Sequence, residues 1–380
     1  GILCWALENL DESQMMELLA EGDIPIEESP HSSKDDHARV LWYQAANILS
    51  VLQGKDLQED LTDQQKKSGT HRWVADLTPV GDDVADLVRR SEEGDADVLS
   101  DFEKAYQPIL DGMLETLERM GIVFNRPMPK ESAFILDGSV EDLMNQLQSS
   151  DLHRVAENGA HYLELESKGI QGTSTRFYYR RGDGSSLYAT RDLAYHQDKW
   201  TRSTRLLNIL GEDHKLQSKQ VEIALEELGI QPPEVVFYAF TKLADGKMST
   251  RRGNVVYMDD LLDEAQVRAY AAVQEIREDL PEQRLQEISD AVGISATRFN
   301  IARISPDKGI TFRWEDALSL EADSAPFIMY SHARACSIQR KAGEVDTSVG
   351  LDTSALEGSA GELVRRMAYM NEELQSSIDA

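Results

Sequence analysis

Residues 206–240 read LLNILGEDHKLQSKQVEIALEELGIQPPEVVFYAF, two apolar runs on either side of an amphipathic segment. The apolar runs, Leu206 to Leu210 and Val235 to Phe240, have the length of buried strands, and Leu216 to Leu228 has the apolar spacing of a helix. Strand–helix–strand alternation with apolar strands is typical of a parallel sheet covered by helices. This unit therefore predicts an α/β fold.

The chain on the amino-terminal side of this unit is predicted to be helical over residues 1–123. Apolar side chains recur there at helical spacing, Gly121 is placed to end the last helix, and residues 54–70 are expected to be exposed. The predicted helices are Cys4 to Leu19, Val40 to Leu52, Val84 to Arg90 and Leu99 to Met120, with a loop from Pro25 to Asp36.

Short strand-like runs replace the helical pattern in the next part of the chain. A hairpin is predicted from Tyr179 to Tyr188, because its turn contains two glycines. The other strand-like runs are Ile122 to Phe124, Ala133 to Leu136, His161 to Leu165 and Phe177 to Arg180. Together they predict a small α+β insertion over residues 124–185.

The strand–helix–strand unit belongs to a predicted α/β region over residues 186–322. A helix is expected from about Thr190, a strand from Val255 to Met258, and helical structure from Ala265 onward. Ser324 is placed to cap a further helix that has Pro326 in its first turn. We therefore predict a boundary near Asp323 and a helical domain over residues 323–380.

Composition limits the class of protein. A chain of 380 residues exceeds one compact core, so two or three domains are expected. No apolar run reaches the ~18 residues that span a membrane. Cys4 and Cys336 are too few for a disulfide framework or a Cys-rich zinc site, which indicates a reducing, cytoplasmic location. The sequence predicts no metal site and no tightly bound cofactor.

The net charge is strongly negative, because 68 Asp and Glu residues outnumber 39 Lys and Arg residues by 29. A polyanion repels nucleic acid, whose binding depends on phosphate contacts to Lys and Arg. That repulsion is short-ranged at high ionic strength, since the Debye length is about 3 Å at 1 M salt. The acidic residues are spread along the whole chain, which favours adaptation to a salt-rich cytoplasm.

The first segment with possible chemistry is Gly246-Lys247-Met248-Ser249-Thr250-Arg251-Arg252-Gly253-Asn254. Two glycines bound a segment with three cations and two hydroxyl groups. Such a loop can fold over a triphosphate and neutralise the charge that develops on a leaving pyrophosphate. Alone, a basic loop between glycines is more often a solvated turn, and the order Lys-Met-Ser is what favours a phosphate site.

The second segment is Gly211-Glu212-Asp213-His214, at the carboxyl end of the first strand of the unit. Ligands of open α/β sheets bind beyond the carboxyl ends of the strands, and a glycine there lets a nucleotide approach the backbone. The structural alternative is a cap, in which Asp213 closes the helix that it precedes.

The third segment is Ser186-Leu187-Tyr188-Ala189-Thr190-Arg191-Asp192-Leu193-Ala194-Tyr195. It resembles the Leu-Tyr-Ala-Thr-Arg-Asp sequence that is specific to arginyl-tRNA synthetases, and the first two segments resemble the Lys-Met-Ser-Lys-Ser and Gly-x-Asp-His elements of class I aminoacyl-tRNA synthetases. For Asp192 alone, an acidic residue favoured at a helix start would be the simpler interpretation.

The resemblance implies a role for each matched residue. Tyr188 and Asp192 would hold the arginine substrate, and Glu131 matches a substrate-reading Glu of the family. A carboxylate accepts the planar fork of a guanidinium, an aromatic ring can border the cation, and a second acid would fix both edges of the fork. His214 would contact both the arginine and the ATP. The residues expected to be catalytic are Lys247, Met248, Ser249, Arg251 and Arg252. Those expected to bind ATP are Gly211, Asp213, His214, Lys247 and Met248.

The resemblance also implies a fold and partners. The chain would be the second half of a class I Rossmann-like catalytic domain with helical and small β insertions, followed by the start of an all-α anticodon-binding bundle. The substrates and partners would be L-arginine, ATP with Mg²⁺, and tRNA(Arg). A cytoplasmic monomer is expected.

Two departures from the family pattern keep alternatives open. Thr250 and Arg251 stand where the family has Lys and Ser, so either Arg251 or Arg252 could be the second phosphate-binding cation. The sequence contains no His-x-Gly-His and does not begin with Met, so we expect a fragment that makes no arginyl-adenylate alone. The alternatives are another class I synthetase and an acidic interaction module derived from a synthetase.

The charge yields a first testable prediction. Because a net charge of −29 repels itself in dilute buffer, the melting temperature of the chain should rise on going to about 1 M KCl, where the Debye length is short. Thermal unfolding followed by circular dichroism measures this. A chain that is most stable in dilute buffer and loses structure in concentrated KCl would contradict the interpretation of salt adaptation.

Overall fold

The computed structural model describes residues 1–24, 26, 30–54, 73–74, 76–125, 128–172, 174–243, 257–321, 323–344 and 357–379. The chain divides into two compact units, residues 1–327 and residues 328–380. Within the described ranges, every helix is too short or too polar to cross a membrane.

The amino-terminal part is helical, and three of the four predicted helices are confirmed at slightly greater length. The single helix predicted from Cys4 to Leu19 is wrong, because Asp11 interrupts it. The Asp11 carboxylate accepts from the Gln14 amide, and the Gln14 side chain accepts from the Asp11 amide, both at 2.9 Å, which is a capping box. The helices are α1 (Ile2–Asn9), α2 (Glu12–Glu21), α3 (Asp35–Gln53), α4 (Val80–Glu92) and α5 (Ala96–Arg119).

Gly121 follows α5 with a φ of +68°, so the predicted carboxyl-terminal glycine is confirmed. Beyond it, residues 122–124 form no strand, and Val123 is 77% exposed. The strand predicted at Ala133 to Leu136 is a helix, α6 (Glu131–Leu136), which buries Phe134. A short apolar run has no period that separates a strand from one turn of a helix, and here helical packing prevails.

A small antiparallel sheet follows helix α7 (Ser139–Gln148). Its strands are β1 (His153–Val155), β2 (His161–Glu164) and β3 (Arg176–Arg180), in the order β1-β2-β3. The latter two confirm predicted strands. The predicted hairpin is confirmed only as a turn, since Gly184 has a φ of +90° and a single bridge joins Arg180 to Ser186.

The α/β unit is confirmed. Strands β4 (Leu207–Gly211) and β5 (Glu234–Tyr238) pair in parallel, and helices α8 (Tyr188–Trp200) and α9 (Lys215–Glu227) flank β4 in the chain. Buried side chains of α7, α8, α9 and the small sheet form one apolar core that includes Leu147, Leu163, Tyr179, Leu193 and Leu225.

A second parallel pair joins β6 (Thr241–Leu243) to β7 (Ile310–Phe312). The expectation of helical structure alone from Ala265 onward is therefore wrong at β7, whose three residues are too few for a recognisable alternation. Half of the strand predicted from Val255 to Met258, residues 255 and 256, lies outside the described residues, and Met258 begins a helix.

The two long helices that precede β7 in the chain pack tightly. In α11 (Glu282–Ala302), a Cβ on Gly293 would lie 2.8 Å from the backbone of Ala265 in α10 (Met258–Ile276), so only glycine permits this approach. The short helix α12 (Trp314–Ala317) precedes α13 (Ala325–Ala342), and α14 (Gly358–Asp379) is the last element. The Ser324 hydroxyl accepts from the Phe327 amide at 3.2 Å, which confirms the predicted cap.

A buried carboxylate connects three separate parts of the first unit. Asp259, 2% exposed at the start of α10, accepts from Lys34 at 2.8 Å, from Thr116 at 2.9 Å and from Arg119 at 2.6 Å. Burial alone would raise the pKa of Asp259, but these hydrogen bonds outweigh it and hold the pKa well below its usual range. Arg119 also reaches Asp263 at 2.5 Å.

Asp36, His37 and Asp259 offer ligand atoms within 4.8 Å of one another, a spacing that could suit a metal ion. The Lys34 ammonium already supplies positive charge there, at 2.8 Å from Asp259 and 3.6 Å from Asp36. It also donates to the Gly112 carbonyl at 2.8 Å. We therefore interpret this cluster as an ion-pair network.

The Asp259 network predicts a large effect of removing one cation. Lys34→Met leaves a buried carboxylate with an incomplete set of partners, and we expect it to lower the free energy of unfolding by about 3 kcal/mol. Urea denaturation measures this loss. Lys104→Met is the matched control, because Lys104 is 72% exposed and pairs only with Asp101 on the surface; it should unfold like the wild type.

The sign of the pH dependence follows from the lowered pKa of Asp259. The stabilisation is complete above the ordinary value of 3.8 and is lost as the pH falls below it towards the lower folded-state pKa. The difference in stability between the wild type and Asp259→Asn should therefore shrink in that acid range. A difference that stays constant there would contradict the network.

Candidate functional site

A cavity of about 670 Å³ lies between α8 and the β4–α9 segment. One face of α8 contributes Tyr188, Asp192, Tyr195 and Lys199, whose spacings of four, three and four residues bring them onto the same side of a helix. The opposite wall and the rim include Phe124, Glu131, Asn208, Leu210, His214, Gln217 and Val221.

The structure brings together the four residues that were predicted to bind a substrate. Glu131, Tyr188, Asp192 and His214 all line this one cavity, although they come from α6, α8 and the turn before α9. The predicted phosphate-binding residues Lys247, Met248, Ser249, Arg251 and Arg252 lie outside the described residues.

At one end of the cavity a glutamine joins two of the predicted residues. Gln217 donates from Nε2 to the Tyr188 hydroxyl at 3.0 Å, and its Oε1 lies 3.1 Å from His214 Nδ1. Sequence reasoning missed Gln217. Its only local signal is its position three residues after His214, which places both side chains on one face of the first turn of α9.

Asp192 is supported by a buried histidine. The Nδ1 atom of His196 lies 2.7 Å from the Asp192 carbonyl oxygen and 3.4 Å from its carboxylate. Asn208 donates from Nδ2 to His196 Nε2 at 2.8 Å, so the network assigns the ring proton to Nδ1. Burial lowers the pKa of His196, against the opposing effect of Asp192, and keeps the ring neutral.

A cation occupies another part of the same cavity wall. Lys199 lies over the Tyr195 ring at 4.5 Å and donates to Asn208 Oδ1 at 3.4 Å. Burial lowers the pKa of Lys199, while the nearby Asp192 carboxylate opposes that shift. Asn208 thus contacts His196 through its amide nitrogen and Lys199 through its amide oxygen, which fixes its orientation. Lys199 and Asn208 were not among the predicted site residues, because neither belongs to a recognisable motif.

Glu131 differs from Asp192 in already having a cationic partner. Arg191 donates from Nε to Glu131 Oε2 at 2.8 Å. The Glu131 side chain is 56% exposed and the Asp192 side chain is 37% exposed, so solvent reaches both carboxylates. A ligand cation would meet Asp192 directly, but it would share Glu131 with Arg191.

The structure rejects the capping alternative for Asp213. A short 3₁₀ turn, Glu212–His214, comes before α9, and His214 is the N-cap residue without a side-chain capping bond. The Asp213 carboxylate instead lies over Gly211, where a Cβ would be 2.5 Å from its Oδ1. A larger residue at position 211 would therefore displace the Asp213 carboxylate at the carboxyl end of β4.

The arrangement suits a ligand with a positively charged planar end. Glu131 and Asp192 line this cavity together with the Tyr188 and Tyr195 rings, and a third lining carboxylate, Glu222, pairs with Lys219 at 2.6 Å. Carboxylates and aromatic faces are the groups that bind guanidinium ions. Among the described residues, Asp192 has no cationic side chain within ion-pair distance: His196 is neutral, and the Lys199 ammonium acts on Asp192 only from farther away, so the carboxylate can still accept from a ligand cation.

The comparisons with known proteins agree with this chemistry. Residues 50–308 match the family described as tRNA synthetases class I (R), catalytic domain. An arginine–tRNA ligase of Methanocella arvoryzae is 39% identical over 344 residues, covering 90% of this chain and 55% of that protein. One of Halorubrum lacusprofundi is 40% identical over 310 residues, covering 79% of this chain and 51% of that protein. The chain spans about half the length of the curated relatives it matches.

Solved structures show the same fold at lower identity. The arginyl-tRNA synthetase of Thermus thermophilus superposes with a TM-score of 0.63 at 21% identity, covering 96% of this chain and 62% of that chain. The enzyme of Plasmodium falciparum gives a TM-score of 0.55 at 12% identity, covering 78% and 50%. The chain thus has a mixed α/β, mostly helical fold with arginyl-tRNA synthetases as neighbours.

The His196 network predicts a titration. The pKa of His196 should lie below the ordinary 6.5, and Asn208→Asp should raise it, because a carboxylate beside Nε2 favours the protonated ring. NMR of the ring resonances measures both values. Folding lowers this pKa, so the contribution of His196 to stability is complete above 6.5 and is lost as the pH falls below it.

Asn145→Asp on the exposed face of α7 adds the same charge elsewhere and is the control. A wild-type midpoint above 6.5, or equal shifts in the two variants, would contradict the assigned hydrogen bonds.

Proposed function

Because this chain belongs to the arginyl-tRNA synthetase family of class I, we propose that it takes part in the ATP-dependent joining of L-arginine to tRNA(Arg). We propose further that the cavity beside α8 holds the arginine side chain. The observation that carries this proposal is the meeting of Glu131, Tyr188, Asp192 and His214 on one cavity.

Asp192 is the main acceptor in this proposal. Its carboxylate lies on the cavity and has the neutral His196 as a neighbour, so a guanidinium can donate two hydrogen bonds to it. The Tyr188 ring borders the same space, and Gln217 holds the Tyr188 hydroxyl from the other side. Glu131 adds an acceptor at the rim. Together these residues would recognise both the positive charge and the planar shape of the guanidinium group.

The position of β4 supports a proposal for the residues that contact ATP. Gly211 ends this parallel strand, and nucleotides bind at the carboxyl ends of such strands. We propose that Gly211, Asp213 and His214 face the adenosine part of ATP. Lys247, Met248, Ser249, Arg251 and Arg252 would face the phosphates. Mg²⁺ would enter with ATP and supply positive charge to the phosphate oxygens.

No side-chain nucleophile is required for the proposed reaction. The arginine carboxylate attacks the α-phosphate of ATP and displaces pyrophosphate, and a ribose hydroxyl at the end of the tRNA then attacks the carbonyl carbon of the adenylate and displaces AMP. Catalysis in both steps consists of positioning and of stabilising developing charge. The residues of the cavity would fix the arginine side chain, and so the direction of attack.

The finer division of the fold is part of the same proposal. Residues 1–123 would be the helical part of a catalytic-domain insertion, residues 124–185 a small α+β insertion, and residues 186–322 a Rossmann-like catalytic half. Residues 323–380 would begin the anticodon-binding bundle. We also propose that the complete protein acts in the cytoplasm as a monomer.

Arginine binding tests the pocket. The chain should bind L-arginine more tightly than citrulline, which has a neutral group in place of the guanidinium, and Asp192→Asn should weaken arginine binding by roughly tenfold to a hundredfold. Isothermal titration calorimetry measures the dissociation constants.

Asp198→Asn is the matched control for Asp192→Asn. Asp198 lies on the same helix with the same 37% exposure, but its carboxylate pairs with Arg202 at 2.8 Å and does not line the cavity. Equal losses in the two variants, or wild-type affinity in Asp192→Asn, would overturn the pocket assignment.

A further inference from the structure

Arg191 is the residue next to Asp192, and the proposed function gives it no task. Its Nε donates to Glu131 Oε2 at 2.8 Å, and one terminal nitrogen donates to the Ser186 hydroxyl at 3.1 Å. The same terminal nitrogen lies 3.8 Å from Glu92 Oε1. The Arg191 side chain is only 21% exposed. The guanidinium of Arg191 therefore already binds the Glu131 carboxylate at the rim of the cavity.

Arg191 is itself held by Ser186 and Glu92. Ser186 is 1% exposed, and it donates to Glu92 through its hydroxyl at 2.9 Å and through its amide at 3.2 Å. Glu92, at the end of α4, is 15% exposed. A chain of polar contacts thus runs from a largely buried carboxylate through Ser186 and Arg191 to Glu131. Each step has a charge or a hydrogen bond that fixes the next side chain.

Glu131 would have little to hold it without this contact. It is the first residue of a six-residue helix and its side chain is 56% exposed. A long, exposed side chain of this kind loses about 1.5–2 kcal/mol of rotamer freedom when it is ordered. In the described part of the chain Arg191 is the partner that orders it, and it occupies Oε2 only. Oε1 is left as the acceptor for a ligand.

We propose that Arg191 is a positioning residue that makes the cavity select a guanidinium over an ammonium ion. It acts through Glu131, which it holds in one orientation and whose charge it balances. This inference rests on the proposed arginine pocket.

The selectivity follows from geometry. A guanidinium is a rigid planar fork whose donors point in fixed directions, so it gains from two acceptors held at fixed positions. An ammonium ion is a compact charge with three rotatable donors, and it is satisfied by Asp192 together with water. Holding Glu131 therefore strengthens arginine binding far more than lysine binding. Balancing the charge of Glu131 also leaves Asp192 as the main source of attraction, which limits the affinity for any cation.

The experiment compares L-arginine and L-lysine as ligands of the wild-type chain and its variants by isothermal titration calorimetry. Arg191→Met should weaken arginine binding by about tenfold and leave lysine binding within about twofold, so that the ratio of the two affinities falls. Arg191→Lys keeps the charge without the fork, and should recover part of the ratio. Arg202→Met is the matched control, because Arg202 lies two residues beyond the end of α8 and pairs with Asp198, which does not line the cavity; it should keep the ratio.

A double-mutant cycle separates positioning from general stability. Once Glu131→Gln is present, adding Arg191→Met should change the arginine affinity by less than about twofold, because Arg191 acts through Glu131. Equal effects of Arg191→Met with and without Glu131→Gln would overturn the proposal. If Arg191→Met does not fold, Arg191→Lys and Glu131→Gln each test it, since each should lower the affinity ratio; an unchanged ratio in both overturns it.

The outcomes also distinguish this inference from the function on which it rests. If the wild type binds arginine and Asp192→Asn weakens that binding, while Arg191→Met leaves the ratio unchanged, the pocket stands and the role of Arg191 is wrong. If the wild-type chain shows no arginine binding, the pocket assignment and the role of Arg191 both fail.

Discussion

The first compact unit depends on one buried carboxylate. Asp259 is 2% exposed, and its partners Lys34, Thr116 and Arg119 come from the segment before α3 and from α5. A buried ion of this kind is costly unless each oxygen is hydrogen-bonded, so the native arrangement of the three segments is favoured only when these partners are in place. Asp259 lies at the start of α10, directly after residues 244–256, which contain the Lys-Met-Ser sequence. The network therefore fixes the point where the chain returns from that segment to the helical part.

The lining of the cavity depends on how α8 is rotated about its own axis. The Thr190 hydroxyl donates to the Tyr179 carbonyl of β3 at 2.5 Å, and the helix begins two residues before it. Leu193 and Ala194 are buried in the core formed with the small sheet, so Asp192 and Tyr195 are turned towards β4 and α9. A change of one residue in the register of α8 would move Asp192 by about 100° around the helix and out of the cavity. The small sheet thus sets the position of the site without lining it.

Sequence reasoning succeeded where the signal is local. The parallel pair β4–β5 follows from two short apolar runs, and the helix between them follows from its apolar spacing. The Tyr188–Asp192 spacing of four residues is likewise a helical property. It failed where tertiary contacts decide. The break at Leu10 depends on the Asp11 capping box, and the apolar run from Ala133 to Leu136 is helical because Phe134 enters the core. Asn208 and Gln217 were not predicted as site residues, because an amide side chain acquires its role only from the partners around it. The Arg191–Glu131 pair joins residues 60 positions apart, a separation at which one sequence carries no contact signal.

The strongly negative net charge explains why this cavity must distinguish guanidinium from ammonium ligands by the positions of its acceptors. A chain of net charge −29 attracts every cationic amino acid, and its long-range field does not distinguish a guanidinium from an ammonium ion. At high ionic strength even that attraction is screened within about 3 Å, and only contacts remain. Discrimination then has to come from acceptors at fixed positions. The main-chain carbonyl of Asp192 accepts from His196, and the carboxylate of Glu131 accepts from Arg191, in each case from a side chain that is at least three-quarters buried. Acidic residues are abundant along the whole chain, and it is the meeting of Asp192 and Glu131 on one cavity that would make these two a site.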